Sequence, residues 1–432
     1  MNKKPDFLKL SNGLSLILQT MPSADSVAVY VAVGAGSRYE TRETAGTSHF
    51  LEHMLFEGTK RLSTSKEVAE YIERVGGKSG AWTDKEYVTY YAKVPKQHLE
   101  VAFSYLAEIL FNSTLSNEAI KKEKRIVVEE LRRKVDNPEV EIWDLWFEWV
   151  WGKNQSLGRS ILGYEETIQN ITKQQLQDYM EKLYHPANMA LAIVGNFFSQ
   201  KAKDYASKYF GQKYGGSIPT FKKLNPISKK VHTKIIRTNT QQAQLILGFV
   251  TNISYTHKDR FAIRVIADIL SAGVSSRLFQ KLIYGLGIAY SSGAQCWVFA
   301  DAGLFYTYGG FSVENVMIAI KIILEELKKI KWGKISEEEL QETKEKGKAN
   351  IVFSLETPDT MANWYASQWI TEKKIMTIEE TLEKIDGVTV EDIQRVARQY
   401  FINKNLYLTI RGPIEENSIE RIENILQYND KH

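Results

Sequence analysis

The sequence partly repeats itself, and this repetition limits the possible folds of the 432-residue chain more than any other feature. The stretch EETIQNITKQQLQDYMEKLYHPANMALAIVGNF begins at Glu165, and EETLEKIDGVTVEDIQRVARQYFINKNLYLTIRGPI begins at Glu379. Each stretch predicts a helix capped by Thr172 or Thr389, an Asn-containing turn and an apolar strand. The copies lie about half a chain apart, which indicates a duplicated domain rather than a solenoid of many repeats.

The duplication predicts two domains separated by one linker. Residues 1–212 are expected to form the N-terminal domain, and residues 229–432 the homologous C-terminal domain. Between them, GQKYGGSIPTFKKLNPISKK combines a Gly-Gly pair, two prolines and several lysines with little hydrophobic periodicity. Such a composition is typical of a linker, which we place at residues 213–228.

Both helical and strand patterns occur within one half of the chain. Apolar strand patterns cover residues 14–19 and 26–35, and helical patterns follow near 45–57 and 65–75. The segment SGAWTDKEYVTYYAKV is rich in β-branched and aromatic residues and predicts further strands, after which helical patterns fill most of 97–186. The sequence therefore predicts the α+β class, with two homologous domains that each pack helices on a mainly antiparallel sheet.

The composition is that of an ordinary globular protein, with 43% hydrophobic and 25% charged residues. The 56 basic and 52 acidic residues nearly cancel, so neither a nucleic-acid partner nor a membrane surface is expected. The opening MNKKPDFLKL lacks the apolar core of a signal peptide, and no apolar stretch approaches the roughly 20 residues of a membrane span. A lone cysteine, Cys296, excludes an intramolecular disulfide. These features predict a cytoplasmic protein.

The stretch GTSHFLEHMLFEGT, residues 46–59, carries polar side chains on a helix that is otherwise apolar. His49, Glu52 and His53 are three or four residues apart and share one helical face. Burying them costs several kcal/mol unless another group satisfies them, and a zinc ion bound by the two imidazoles would do so. The alternative is a Glu–His pair that serves only to satisfy the core.

A third metal ligand is expected on the helix NEAIKKEKRIVVEELRR. Glu123 and Glu130 fall on the same face as Ile120 and Val127, where carboxylates need a cation. The neighbouring Glu129 points about 100° away, so helical periodicity favours Glu130. The alternative, a solvated charged helix, suits the lysines of this segment but not these two glutamates.

The sequence HFLEH matches the H-x-x-E-H signature of the inverzincins, and its surroundings resemble those of the pitrilysin-type metallopeptidases, which include insulin-degrading enzyme and mitochondrial processing peptidase. The resemblance implies that His49, His53 and Glu130 bind one zinc per chain, that Glu52 is the general base and that Glu123 supports the site. It also implies a zinc endopeptidase that hydrolyses unfolded peptides or trims precursors, in a clam-like chamber formed with a second subunit.

The chain departs from the family pattern in its substrate-binding strand. The family's edge strand resembles G-G-x-x-N-A-x-T, whereas this chain has GGKSGAWT. The resemblance implies that Gly80, Ala81, Trp82 and Thr83 pair with an extended peptide substrate as an added strand. Gly80 replaces the family's asparagine, which either removes a contact to the substrate backbone or eases a bend of the strand.

A second departure lies in SSRLFQKLIYGLGIAY, residues 275–290, which resembles the family pattern S-S-R-L-F-x-x-L-R-E-x-x-G-L-A-Y. Tyr290 occupies the pattern's catalytic tyrosine position, but Ile283 replaces its arginine. Lys281, taken to lie on the same strand as Ile283, does not replace a guanidinium, and Arg277 matches an arginine that the pattern already contains.

Family members that keep the zinc site but lose this arginine resemble the metal-bearing halves of heterodimers, so the resemblance implies that this chain pairs with a zinc-less homologous subunit. That partner would supply the arginine and tyrosine side of the site. A homodimer of reduced activity is the second choice, and a structural or peptide-holding family member is the alternative outside the enzyme class.

Overall fold

The computed structural model describes residues 4–211, 216–224 and 232–426. The strands are β1 (Asp6–Lys9), β2 (Ser15–Thr20), β3 (Ser26–Val33), β4 (Lys78–Thr83), β5 (Val88–Pro95), β6 (Met189–Gly195), β7 (His232–Arg237), β8 (Ala243–Thr251), β9 (Ala289–Val298), β10 (Gly303–Phe311) and β11 (Leu406–Gly412). The α-helices are α1 (Thr47–Met54), α2 (Ser65–Glu73), α3 (Leu99–Asn112), α4 (Asn117–Asp136), α5 (Pro138–Trp151), α6 (Glu165–Asn170), α7 (Lys173–Leu183), α8 (Ser199–Phe210), α9 (Arg260–Ser271), α10 (Val316–Trp332), α11 (Glu337–Ser354), α12 (Pro358–Glu372), α13 (Ile378–Asp386), α14 (Val390–Tyr400) and α15 (Glu416–Ile425).

Short helices of other types complete the secondary structure of the described residues. A π-helical segment spans Phe279–Gly285. Short 3-10 helices lie at Ser37–Tyr39, Lys96–His98, Ser156–Gly158, Pro186–Asn188, Val313–Asn315 and Asn403–Asn405.

Apart from the additional edge strand β1, the two sheets have the same strand order, which agrees with the duplication seen in the sequence. The six-stranded sheet has the order β1-β2-β6-β3-β5-β4, and the five-stranded sheet the order β7-β11-β8-β10-β9. The pairs β2–β6 and β7–β11 are parallel, and the other neighbouring strands are antiparallel. The predicted α+β class, with a mainly antiparallel sheet in each of two related domains, is confirmed.

The two repeated stretches fold alike. The side chain of Thr172 caps α7 by accepting a hydrogen bond from the Gln175 amide, and Thr389 caps α14 by accepting one from the Asp392 amide. In both copies the helix leads through a short 3-10 turn into a fully buried strand, β6 or β11. These strands lie inside their sheets, where apolar residues on both faces are buried.

By their contacts, the residues divide into two compact units, which are described separately. Unit 1 comprises Met1–Arg133, Arg159–Lys222 and Phe353–Thr377, and unit 2 comprises the segments Lys134–Gly158, Lys223–Val352 and Ile378–His432. The unit boundaries differ from a single division of the chain at its middle. In unit 2, α5 packs on β8 and β11, and in unit 1, α12 packs on β3 and β6.

The sequence pattern does not predict which unit α5 and α12 belong to. Each helix buries apolar residues against one face of a sheet, and a local pattern does not specify which sheet. The predicted domain boundaries stay a prediction, because residues 213–215 and 225–228 of the predicted linker lie outside the described residues. The remaining linker residues, 216–224, contain neither helix nor strand.

In unit 1 the core holds α1 beside the edge of the sheet. Phe50, Leu51 and Met54 of α1 are at most 1% exposed and belong to the core that the sheet forms with α3. Helix α1 packs on the edge strand β4, and α3 packs on β3 and β5. This packing directs the polar face of α1 toward β4 and α4. Among the described residues, no helix is both long and apolar enough to cross a lipid bilayer.

Unit 2 contains a close approach between α5 and the sheet that leaves no room for one extra atom. A Cβ on Gly248 of β8 would lie 2.7 Å from Cζ2 of Trp146 on α5 and 2.6 Å from the carbonyl oxygen of Phe305.

We expect Gly248→Ala to lower the free energy of unfolding by about 1–3 kcal/mol through overpacking, measured by urea denaturation. Gly387→Ala is the control, because its Cβ would be 3.5 Å from the nearest atom. Equal stabilities of the two variants would contradict this packing of α5.

Candidate metal centre

Two histidines of α1 and one glutamate of α4 bring their ligand atoms together in unit 1. Oε2 of Glu130 lies 3.7 Å from Nε2 of His49 and 3.7 Å from Nε2 of His53. All three ligand atoms lie within 4.8 Å of one another. The imidazole rings are 4.7 Å apart between centroids and tilted by 62°. Three potential metal ligands therefore converge on one point.

Helix α4 presents two of its carboxylates to α1. Glu123 and Glu130 are seven residues apart, which is two helical turns, so they lie on one face of α4. Glu129 instead accepts a hydrogen bond from the Arg132 guanidinium at 2.7 Å and is exposed.

Glu123 holds the ring of His53 in one orientation. Its side chain is buried, and its Oε2 lies 3.0 Å from Nδ1 of His53. A carboxylate only accepts hydrogen bonds, so Nδ1 carries the hydrogen and the Nε2 lone pair faces the cluster. Burial alone would lower the pKa of His53, but the hydrogen bond and charge of Glu123 outweigh it and raise this pKa. The Lys122 ammonium lies 3.6 Å from Oε1 of Glu123 and partly balances its charge.

Glu52 lies on the same face of α1 and is bound to the edge strand. Its Oε2 accepts a hydrogen bond of 2.6 Å from the Thr83 hydroxyl of β4. Burial raises the pKa of Glu52, and the hydrogen bond from Thr83 opposes this rise. A carboxylate whose ionised form is disfavoured binds a proton more readily, which suits a general base.

The predicted substrate-binding residues, Gly80, Ala81, Trp82 and Thr83, all lie on β4, at the edge of the six-stranded sheet. Thr83 faces Glu52 and Ala81 faces the core, whereas Trp82 lies on the opposite face, 6.1 Å from the Tyr91 ring. A Cβ on Gly80 would be 2.7 Å from Cε1 of Tyr91. The ring of Tyr91 therefore fills the place that a side chain at position 80 would take.

Tyr290 and Ile283 belong to unit 2 and not to the cluster in unit 1. Tyr290 lies near the start of β9, an edge strand, and is 93% exposed. Ile283 is half-buried in the π-helical segment. The expectation that Lys281 shares a strand with Ile283 is wrong, because both lie in this π-helical segment.

Lys281 and Arg277 are both engaged in ion pairs within unit 2. Nζ of Lys281 lies 2.6 Å from Oε1 of Glu326, a glutamate that is 2% exposed. Arg277 donates two hydrogen bonds to Glu339, at 2.6 and 2.7 Å, and also lies 3.6 Å from Glu326. Lys281 thus ties the π-helical segment to α10, and Arg277, two residues before this segment, is bound to α11.

The donor set of the cluster fits zinc. Zinc takes imidazole nitrogen and carboxylate oxygen at about 2.0–2.2 Å in a tetrahedral arrangement, which separates neighbouring ligand atoms by about 3.4 Å. The two separations of 3.7 Å between the histidines and Glu130 are close to that value. Three protein ligands leave one position open, which is typical of a catalytic site rather than a structural one.

One contact of this site was not foreseen from the sequence. Thr83 was expected only as part of the substrate strand, but its hydroxyl also binds Glu52. These two residues are 31 positions apart, and no local pattern signals a contact between them.

Comparison with known proteins agrees with the fold and the cluster. The profile of the insulinase family (peptidase family M16) matches residues 15–163, and that of the peptidase M16 inactive domain matches residues 170–346. An uncharacterized zinc protease of Bacillus subtilis strain 168, YmxG, is 34% identical over 90% of this chain and 94% of its own length. An uncharacterized zinc protease of Rickettsia felis is 32% identical over 91% of this chain and 94% of its own length.

Solved structures show the same fold. A protease from Helicobacter pylori superposes with a TM-score of 0.87 at 24% identity, covering 94% of this chain and 99% of that one. A chain of complex III2 from Candida albicans superposes with a TM-score of 0.84 at 19% identity, covering 98% of this chain and 99% of that one.

The fold, the His-His-Glu cluster and the named relatives together indicate a zinc peptidase of two related domains. The chain belongs to the insulinase family, peptidase family M16.

The geometry of the cluster leads to a prediction on metal binding. We expect one zinc per chain, and His53→Ala or Glu130→Gln should lower zinc affinity severely because three protein ligands leave no spare. Glu129→Gln is the matched control, since Glu129 is adjacent on α4 but binds Arg132. Zinc content is measured by mass spectrometry after dialysis. Full zinc occupancy in the first two variants would exclude this ligand set.

Proposed function

We propose that the protein is a zinc-dependent endopeptidase that hydrolyses unfolded peptides or trims precursors. The observation that carries this proposal is the position of Glu52. This carboxylate lies on the same helix face as two histidines of the cluster, and Thr83 ties it to the edge strand β4. A general base and a metal site thus lie beside a strand edge that can receive a peptide.

A peptide substrate would bind by adding a strand to β4. Among the described residues, β4 pairs with β5 alone, so its other edge presents backbone N–H and C=O groups. Main-chain hydrogen bonds hold an extended peptide irrespective of its sequence, which suits an enzyme for unfolded chains. Gly80, Ala81, Trp82 and Thr83 would provide this contact.

His49, His53 and Glu130 would hold the zinc, which when bound supplies a Lewis acid that polarises the peptide carbonyl and makes water more acidic. Glu52 takes a proton from the attacking water and returns it to the leaving amine. Thr83 keeps the Glu52 carboxylate in place through its hydrogen bond. Glu123 keeps the His53 ring oriented through Nδ1.

The role of Glu52 separates metal binding from chemistry. Glu52→Gln keeps the size of the side chain and its hydrogen bond with Thr83 but removes the base. We expect zinc content to stay at the wild-type level and peptide hydrolysis to fall by about 10²–10⁴-fold. A quenched fluorescent peptide measures activity on the same samples as the zinc assay. Turnover near the wild-type rate would assign proton transfer to another group.

For the dimeric state, we propose a heterodimer with a homologous subunit that lacks zinc. Ile283 donates no hydrogen bond, and the nearby Lys281 and Arg277 are already paired with Glu326 and Glu339. The side that stabilises the transition state is therefore incomplete in this chain, although Tyr290 is present and exposed. A partner with the missing arginine would complete a clam-like chamber. The alternatives are a homodimer with lower activity and a peptide-holding subunit without activity. The cytoplasm remains the predicted location of the protein.

The substitution Ile283→Arg tests the heterodimer. A preorganised donor to the transition state is worth about 10²–10³-fold in rate, so the pure unmodified chain should cleave peptides poorly. Ile283→Arg should raise kcat, and Tyr284→Arg, at a neighbouring exposed position, is the control that should not. Robust hydrolysis by the unmodified chain alone, unchanged by Ile283→Arg, would contradict the heterodimer.

A further inference from the structure

A buried carboxylate outside the metal cluster caps the helix that carries both histidines. Glu40 is 6% exposed, and its two side-chain oxygens accept hydrogen bonds from the backbone amides of Gly46, at 2.9 Å, and Ser48, at 2.7 Å. Ser48 immediately precedes His49. The carboxylate therefore contacts the backbone one residue before the cluster.

Helix α1 obtains this cap from the segment that precedes it, because its own N-cap residue has no side chain to provide one. Its N-cap residue is Gly46, which has no side chain to accept a hydrogen bond and lies in the left-handed region at φ 92°. The first amides of a helix need acceptors, and a helix N-terminus favours a negative charge. Glu40 meets both needs from six residues upstream of Gly46.

Glu40 is itself held in a frame of buried groups in unit 1. The Arg159 guanidinium donates a hydrogen bond of 2.6 Å to the Glu40 carbonyl oxygen, and the Lys85 ammonium donates one to the Arg159 carbonyl oxygen. The Arg38 amide donates to the Lys85 carbonyl oxygen at 2.8 Å. Lys85 follows Thr83, which binds Glu52, by two residues. These hydrogen bonds connect Glu40, before the start of α1, with Lys85, just after the end of β4.

We propose that Glu40 is a positioning residue that sets the place of α1, and with it the separation of His49 and Glu130. The inference rests on the proposed zinc site. The two side-chain hydrogen bonds of Glu40 go to backbone amides at the start of α1, so it acts on the cluster through the backbone of this helix. A shift of the first turn of α1 would move His49 away from the ligand on α4 without removing any ligand.

Glu40 accepts from both amides only as an ionised carboxylate, because a protonated oxygen would face a donor. Burial raises the pKa of Glu40, and the two amide hydrogen bonds and the charges of Arg159 and Lys85 oppose this rise by favouring the ionised carboxylate. A substitution that removes one of these two acceptors leaves a buried backbone amide without its partner, which lowers the stability of the fold. Glutamine at this position keeps one acceptor and the volume, but its NH2 group faces a backbone amide instead of accepting from it.

The test compares zinc affinity with stability in Glu40→Gln. Zinc affinity, measured by competition with a chromophoric chelator, should fall by about 10–100-fold, as for other residues that orient metal ligands. The urea midpoint of the metal-free protein should fall only modestly, because one buried hydrogen bond is lost. Cobalt(II) loaded in place of zinc should show a changed visible absorption spectrum, because that spectrum reports the ligand geometry. In the peptide assay, kcat should fall and KM should stay constant.

Glu67→Gln is the matched control. Glu67 also accepts two backbone amide hydrogen bonds at a helix start, from Ser63 and Thr64, but it caps α2, which carries no residue of the site. Its zinc affinity should equal that of the wild type. If Glu40→Gln does not fold, Glu40→Asp decides, because it keeps the charge but is one methylene too short to reach both amides. Aspartate should still lower zinc affinity several-fold.

Each result bears on the inference. Wild-type zinc affinity and cobalt spectrum in a folded Glu40→Gln or Glu40→Asp protein would overturn it. Loss of stability with an unchanged cobalt spectrum would assign Glu40 a structural role only. Equal loss of zinc affinity in Glu67→Gln would show a general effect of weakened caps. If the unmodified protein binds no zinc, the proposed function itself fails, which is a distinct outcome.

Discussion

The desolvation of the polar face of α1 is the constraint on which the rest of the site depends. Two imidazoles and a carboxylate on a helix packed into an apolar core are costly unless each has a partner. The structure provides partners from separate elements: Glu123 for His53, Glu130 near both histidines, and Thr83 for Glu52. Helix α1 therefore lies between α4 and β4, and this position brings Glu52 next to the strand edge.

The two related domains share a sheet topology but differ at the helix position that carries the two histidines of the cluster in unit 1. Helix α9 follows β8 in unit 2 as α1 follows β3 in unit 1, but α9 contains no histidine and carries Arg264 and Asp268. Across the described ranges, the His-His-Glu cluster lies in unit 1. The second sheet keeps its strand order without the His-His-Glu cluster, because sheet topology depends on apolar burial and not on the polar residues of one helix.

The two departures from the family pattern have different physical meanings. At Gly80 the neighbouring Tyr91 ring occupies the space of a side chain, so the strand is packed there without the family's asparagine. At Ile283 the nearby cations are bound to Glu326 and Glu339, so no compensation is seen among these neighbours. The first departure therefore bears on how the edge strand is packed, and the second bears on whether this chain works alone.

The sequence by itself determined the local elements, because caps and periodicity act over a few residues. These elements are the helix starts at Thr172 and Thr389, the buried strands after them, and the helix with His49 and His53 on one face. It also indicated the α+β duplication. Only the tertiary structure decided which sheet receives α5 and α12, since an apolar helix face fits either sheet. The same holds for the Thr83 bond to Glu52 and the Glu40 cap of α1, and for the π-helical segment around Ile283. These features depend on which groups the tertiary packing brings together, and hydrophobic periodicity does not predict those contacts.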